Sequence, residues 1–169
     1  MGVDPGLVAT GFGVLEARPA GVAVAEAGVI STGAGEALEA RLNAIYRAVY
    51  RIIEAQTPSL VIVEDLYTEY KFPRTAVLMG HARGVIYLAA RQLDVPLLAL
   101  TPSEVKRAVT GNGSAGKVQV QRAVQTLLGL AAVPHPSHVA DALGLAMTGM
   151  ARVTGRSPFG RARLARSGT

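Results

Sequence analysis

The chain has 169 residues, of which half are apolar and 17% are charged, and this composition suits one folded domain with a hydrophobic core. Because it contains no cysteine, disulfides, thiolate metal sites and cysteine nucleophiles are excluded. The net charge of +5 is uneven: residues 1–64 carry −3 (four basic, seven acidic) and residues 65–122 carry +4 (eight basic, four acidic). This distribution favours a polyanionic partner over a small neutral substrate, although a solvated surface with a basic tail would give the same charges.

The predicted elements begin with β structure. Val3 precedes Asp4 and a Pro-Gly turn, and residues 10–15 and 22–30 have the composition of strands. The second run also shows partial alternation of apolar and polar residues. Three short strands in this order predict an antiparallel meander.

The middle of the chain alternates helix and strand. Apolar residues recur at three- and four-residue spacing over residues 36–56, which predicts an amphipathic helix. Residues 59–63 form a continuous apolar run, typical of a buried strand that ends at Glu64. A second helix is predicted over about residues 74–93 and a second buried strand over residues 95–100. Strands followed by alternating helices and strands predict one mixed, five-stranded sheet flanked by helices, the α/β class.

The last part of the domain is predicted to be helical. Residues 101–104 (Thr-Pro-Ser-Glu) form a capping box with proline at the first helical position. That helix ends at a glycine-rich loop over residues 111–116, and further helices are predicted over residues 117–128 and from about Ser137 to residue 153. We expect one domain over residues 1–154 and a basic, disordered tail over residues 155–169. No basic-then-apolar leader opens the sequence, so we expect a soluble cytoplasmic protein without a membrane span.

Four residues indicate chemistry: Asp4, Glu64, His138 and Asp141. Asp4 and Glu64 each end a predicted strand, so they would project from one edge of the sheet if the two strands are neighbours. His138 and Asp141 lie three residues apart in the first turn of the last helix and therefore point the same way. Each has a plainer interpretation: Asp4 as a turn residue, Glu64 as a solvated strand end, and the other two as helix-start residues beside an N-cap at Ser137.

If these groups converge, their like charges require cations. Carboxylate oxygens bind Mg²⁺ and Mn²⁺, and imidazole suits Mn²⁺ better. Two such ions per site, about 4 Å apart, can hydrolyse a phosphodiester without a covalent nucleophile. The sequence therefore predicts a metal-dependent catalytic site made by these four residues.

Basic and aromatic residues suggest contacts with nucleic acid. Lys106 and Lys117 flank the glycine-rich loop, whose backbone N–H groups, together with a lysine at a helix start, can bind a phosphate. A second set of residues after Glu64 suits stacking on unpaired bases and contacts with the DNA backbone: Tyr67, Tyr70, Lys71, Phe72 and Arg74. A small apolar cluster beneath a loop would explain the aromatic residues equally well.

At these residues the sequence resembles the RuvC family of Holliday-junction resolvases, within the ribonuclease H-like superfamily. The similarity covers about residues 2–150. The matching stretches keep the order of the family's motifs: VDPGLVATGFGV at residues 3–14, IVEDLY at 62–67, GHARGV at 80–85, TPSEVKRAVTGNGSAGKVQVQ at 101–121 and HVADALGLA at 138–146.

The resemblance implies a homodimer that binds a four-way DNA junction, nicks two opposed strands symmetrically and works beside a branch-migration complex. Asp4, Glu64 and Asp141 match the family's acidic metal ligands, and His138 falls where many members carry a fourth carboxylate. Lys106 and Lys117 match positions where members place basic residues against DNA, with Lys117 counted among the catalytic residues. Tyr67 matches an aromatic position associated with the disrupted bases of the junction. Replacing a carboxylate by His138 leads us to hypothesise that Mn²⁺ supports cleavage better than Mg²⁺.

Three alternatives stay open at this point. The chain could be another ribonuclease H-like nuclease that acts on RNA–DNA hybrids or ribosomal RNA, and substrate choice would discriminate. It could be a fragment of a sugar-kinase-like or actin-like protein, which would need a second lobe and nucleotide-binding loops. It could also be a junction-binding module that does not cut, although such a module has no need to gather like charges.

Overall fold

The computed structural model of the chain describes residues 1–19, 21–65 and 73–155. Within these residues, five strands form a single sheet: β1 (Gly2–Asp4), β2 (Ala9–Arg18), β3 (Gly21–Ser31), β4 (Val61–Glu64) and β5 (Leu97–Leu100). The same part of the chain contains five helices: α1 (Leu38–Gln56), α2 (Pro73–Gln92), α3 (Pro102–Thr110), α4 (Lys117–Leu128) and α5 (Ser137–Thr154). None of the helices in these residues is both long enough and apolar enough to cross a membrane.

The strand order is β3-β2-β1-β4-β5, and the sheet is mixed. Strands β1, β2 and β3 pair antiparallel, which confirms the predicted meander, whereas β4 and β5 continue the sheet in parallel with β1. The expected five-stranded α/β architecture is therefore confirmed. Strand β4 begins at Val61 and includes Glu64, so it is shifted by up to two residues from the apolar run that predicted it, because the hydrogen-bonded ladder with β5 sets its limits.

Helices cover both faces of the sheet, and each face has its own core. Helices α1 and α2 pack on one face against the side chains of β1 and β4. Helices α3, α4 and α5 enclose the other core, in which Leu100, Val124 and Leu143 are fully or almost fully buried. Helix α1 buries one stripe, namely Ile45, Val49 and Ile53, as its apolar spacing predicts.

The helix starts follow the predicted caps with one exception. Thr101 caps α3, since its hydroxyl accepts a hydrogen bond from the Glu104 N–H while the Glu104 carboxylate accepts one from the Thr101 N–H. The suggestion that Ser137 caps α5 is wrong: Ser137 is the first helical residue, and Pro136 occupies the cap position without a side-chain hydrogen bond. The start of α5 is therefore determined by its packing on the sheet rather than by a side-chain cap.

Glycines allow α5 to lie unusually close to the sheet. A Cβ atom on Gly2 would lie 2.1 Å from the Ala142 carbonyl oxygen, and one on Gly11 would lie 2.1 Å from the carbonyl oxygen of His138. Both distances are far below van der Waals contact, so residues without a side chain are required where the helix backbone crosses β1 and β2. This close approach brings the first turn of α5 to the edge of the sheet where β1 ends.

Candidate active site

The end of β1 and the end of β4 meet at one edge of the sheet. The two strands are parallel neighbours, and Val3 pairs with Val63. Asp4 and Glu64 each follow directly as the last residue of their strand. The condition placed on the sequence prediction, that these strands be neighbours, is met, and both carboxylates lie at the same edge.

Helix α5 contributes the other two predicted residues. Asp4 pairs across the meander with Gly11, which is also the residue that touches the backbone of His138. The imidazole Nδ1 of His138 lies 2.7 Å from Oδ2 of Asp4. This hydrogen bond engages Nδ1, so Nε2 is the ring nitrogen of His138 that is directed away from Asp4. Asp4 is buried, while the His138 side chain is 40% exposed and can be reached from solvent.

Three of the four predicted residues form a compact cluster of possible ligand atoms. One such atom from each of Asp4, His138 and Asp141 lies within 4.8 Å of the others. Glu64 is outside this tightest group, but its carboxylate is near enough to be repelled by both Asp4 and Asp141. The chain therefore brings all four residues to one place, as the sequence analysis required.

Burial and mutual repulsion make these carboxyl groups weak acids. Burial raises the pKa of Glu64 to about 7, and repulsion by Asp4 and Asp141 adds to the rise. Burial also raises the pKa of Asp141 to about 6, with a further contribution from Asp4. For Asp4, burial raises the pKa above its ordinary value, although the hydrogen bond from His138 opposes the rise. Near neutral pH the Glu64 carboxyl group is therefore partly protonated, and a bound cation would displace that proton.

Both predicted lysines face this cluster. Lys106 lies within α3 and Lys117 is the first residue of α4. The positive charges of both lower the pKa of Glu64 and of Asp141, so their ammonium groups lie on the same side of the molecule as the carboxylates. An anion approaching the cluster would meet two cationic side chains.

Three backbone N–H groups of the loop over residues 111–116 already have hydrogen-bond partners. The Ser114 N–H donates to Oδ1 of Asn112, and the Ala115 N–H donates to the Asn112 carbonyl. The Gly116 N–H donates to Oε1 of Gln119. These three donors are already used locally, so phosphate binding by this loop stays a prediction that depends on its other N–H groups and on the two lysines.

The predicted aromatic segment is described only at its end. Arg74 is exposed at the second residue of α2, while Tyr67, Tyr70, Lys71 and Phe72 lie outside the described residues. Their assignment to DNA contacts stays a prediction.

Two features of the site were missed by sequence reasoning. Gly11 and Gly13 alternate in β2, and such glycines on one face of a strand are a readable signal that another backbone lies against it. The second feature is an ion pair, 2.8 Å between Nη2 of Arg83 in α2 and Oδ1 of Asp65, the residue after Glu64. No sequence pattern predicts this pair, because Asp65 follows β4 and Arg83 lies in α2, with residues 66–82 between them.

Comparison with known proteins gives a consistent result. The family model described as crossover junction endodeoxyribonuclease RuvC matches residues 1–149. Among curated proteins of that description, the chain is 42% identical over 149 residues to the one from Rhodopirellula baltica, covering 88% of this chain and 84% of that protein. It is 45% identical over 147 residues to the one from Pelotomaculum thermopropionicum, covering 87% and 89%.

A solved structure agrees with these sequence matches. The structure titled "T. thermophilus RuvC in complex with Holliday junction substrate" superposes with a TM-score of 0.84 at 32% identity, covering 92% of this chain and 94% of that one. The likeness confirms the predicted ribonuclease H-like architecture, which the mixed sheet and its flanking helices had indicated.

Proposed function

Because this chain belongs to the RuvC family of crossover junction endodeoxyribonucleases, we propose that it resolves four-way DNA junctions with divalent cations held at the edge of its sheet. The observation that carries this proposal is the convergence of Asp4, His138 and Asp141 within 4.8 Å, with Glu64 beside them. The folding of the chain alone does not require three carboxyl groups, one buried and two half-buried, to come together from distant parts of the sequence. Phosphodiester hydrolysis supplies a reason for this arrangement.

The donor atoms fit divalent cations. Carboxylate oxygens of Asp4, Glu64 and Asp141 are the ligands that Mg²⁺ and Mn²⁺ prefer, and one imidazole nitrogen suits Mn²⁺. The raised pKa values of Glu64 and Asp141 are the signature of negative charge without a counter-charge, which a cation would relieve. When bound, such ions lower the pKa of water and neutralise charge that develops on a phosphate. We propose that all four residues hold two ions, with Mn²⁺ preferred.

The side chains have separate tasks in this mechanism. Asp4, Glu64 and Asp141 provide the negative charge that localises the cations at the strand ends. His138 is oriented by its hydrogen bond to Asp4, so its Nε2 is directed away from that carboxylate and is free to bind a cation or accept a proton. Lys117 and Lys106 face the same cluster, where they would hold the scissile phosphate and offset its charge.

We further propose a homodimer in which α2 meets its counterpart. Val77 and Leu88 are large apolar residues that are 59% and 50% exposed on this helix. Gly84 lies on the same face, and a Cβ there would meet nothing within 4 Å, so another backbone has space to approach. Two active sites related by a two-fold axis would nick opposed strands symmetrically. The branch-migration complex implied by the family resemblance stays a predicted partner.

The test uses a synthetic four-way junction with labelled strands. We expect paired nicks at symmetric positions in Mn²⁺ or Mg²⁺ and none in EDTA. Asp141→Asn should abolish nicking while the variant still binds the junction in EDTA. A linear duplex and an RNA–DNA hybrid of equal length serve as control substrates. Cutting by Asp141→Asn at the wild-type rate, or efficient cutting of the hybrid, would contradict the proposal.

A further inference from the structure

Within the described residues, Asp65, which directly follows Glu64, makes a backbone contact with β5 and a side-chain contact with α2. Its N–H donates to the carbonyl of Leu100 over 2.7 Å, which extends the pairing of β4 and β5 by one residue. Its Oδ1 accepts from Nη2 of Arg83 over 2.8 Å. The backbone just beyond Glu64 is therefore tied both to the sheet and to α2.

Arg83 is itself held rigidly. Its side chain is only 17% exposed, and its neighbours Ala82 and Ile86 on α2 are fully buried in the core. Its Cζ lies 4.8 Å from the centre of the Tyr87 ring, and its Nη2 also hydrogen-bonds the Tyr87 hydroxyl. Its Nε is buried without a hydrogen-bond partner, which is unfavourable for folding. Of the contacts that this guanidinium makes, the one with Tyr87 lies within α2, whereas the one with Asp65 joins α2 to the end of β4.

Glu64 needs this support more than the other carboxylates do. Asp4 is held by His138, and Asp141 is fixed by the first turn of α5. Within the described residues, no hydrogen bond to the side chain of Glu64 is found, and the side chain is repelled by Asp4 and Asp141. Among the contacts of the described residues, the backbone on either side is therefore what keeps Glu64 directed towards the cluster.

We propose that Arg83 is a positioning residue for the nuclease reaction: by fixing Asp65, it keeps the carboxylate of Glu64 at the cation-binding cluster. The inference rests on the proposed function. It adds a contribution from α2, on the other face of the sheet from α5, to the geometry of the site. Through Asp65, the same contact also fixes the start of the chain segment that follows β4.

The test compares Arg83→Met, Arg83→Lys and Asp65→Asn with Arg91→Met. Arg91 lies on the same helix, and its ion pair with Asp94 is 79% and 83% exposed, so Arg91→Met removes the same charge without touching the site. We expect Arg83→Met and Asp65→Asn to lower kcat on a four-way junction about tenfold or more, as loss of groups that orient metal ligands does. The Mn²⁺ concentration for half-maximal rate should rise, and junction binding in EDTA should stay unchanged. Arg83→Lys should recover part of the rate.

The outcomes separate the inference from the proposed function. A wild-type protein that does not cut junctions refutes the function itself. If the wild type cuts and both variants match Arg91→Met in kcat and in Mn²⁺ dependence, the positioning role is refuted. A lower melting temperature without a shift in the Mn²⁺ dependence would also refute it, since that is the result of a purely structural contact. Should Arg83→Met fail to fold, Asp65→Asn, which changes only one atom, decides the matter.

Discussion

Replacing Glu64 by glutamine should make the metal-free protein more stable while abolishing its activity. Burial raises the pKa of Glu64 to about 7 in the folded protein, from its ordinary value of 4.5. A carboxyl group with a raised pKa binds more protons in the folded state than in the unfolded state, so stability falls as pH rises from 4.5 to 7. Above pH 7 the loss is complete. It amounts to at most about 3 kcal/mol, because each pH unit between the two pKa values corresponds to about 1.4 kcal/mol.

Glu64→Gln removes this loss, since an amide has no charge to desolvate. In EDTA at pH 8 the variant should therefore melt above the wild type, by up to about 6–12 °C, given that about 1 kcal/mol moves the melting temperature by 2–4 °C in a protein of this size. At pH 5 most of the wild-type carboxyl group is protonated, and the difference should shrink to about 1 kcal/mol or less. Thermal melting can be followed by circular dichroism at both pH values, because the chain has no tryptophan to report unfolding.

The control is Glu54→Gln, which removes one negative charge from an exposed position on α1. It should leave the melting temperature nearly unchanged at either pH. Mn²⁺ should stabilise the wild type more than it stabilises Glu64→Gln. The difference between their melting temperatures should therefore become smaller or change sign. If Glu64→Gln melts at or below the wild-type temperature in EDTA at pH 8, the charged form of Glu64 does not destabilise the metal-free protein and the prediction is refuted.

Four further predictions follow from the same geometry. Nicking rates at matched ion concentrations should be higher in Mn²⁺ than in Mg²⁺ because of the imidazole of His138, and a clear Mg²⁺ advantage would count against that residue as a ligand. Lys117→Ala should slow cleavage and reduce the salt dependence of junction binding by about one phosphate contact; an unchanged slope in a salt titration would exclude this contact. Gly11→Ala should destabilise the protein by about 1–3 kcal/mol and separate His138 from Asp4, whereas Gly35→Ala, with open space around it, should not; denaturant melts and nicking rates of the two variants check this. Mn²⁺ affinity should rise between pH 6 and pH 8 with release of protons, measured by calorimetry in two buffers, since Glu64 and Asp141 must lose protons to bind.

Much of the fold could be predicted because burial leaves a periodic trace in the sequence. The apolar stripe of α1 and the apolar run of β4 are buried as their spacing indicates. The limits of the elements were less accurate. Helix α1 begins at Leu38 rather than residue 36, and β4 begins at Val61, because hydrogen-bonded ladders and helix turns set these ends while apolar periodicity does not report them.

The four site residues could be named from the sequence, but their meeting depended on contacts between distant segments. Strand order decided it: with another strand between β1 and β4, Asp4 and Glu64 would lie about 5 Å further apart. The close contact of Gly11 with His138 adds a second condition, which alternating glycines only suggest. The ion pair of Arg83 with Asp65 could not be predicted from the sequence, since it joins α2 to the end of β4 and follows no regular spacing along the chain.

Glu64 and Glu104 show how differently one chain treats two carboxylates. The Thr101 backbone N–H, together with hydrogen bonds from Arg152 and the Thr101 hydroxyl, lowers the pKa of Glu104 to about 2, so its charged form is favoured in the folded state. Glu64 is largely removed from solvent and lies near the like charges of Asp4 and Asp141, so its charged form is disfavoured. A carboxylate that serves the fold is placed as Glu104 is. The opposite arrangement at Glu64, shared by Asp4 and Asp141, reduces stability in the absence of a counter-charge and is explained by a site that binds cations.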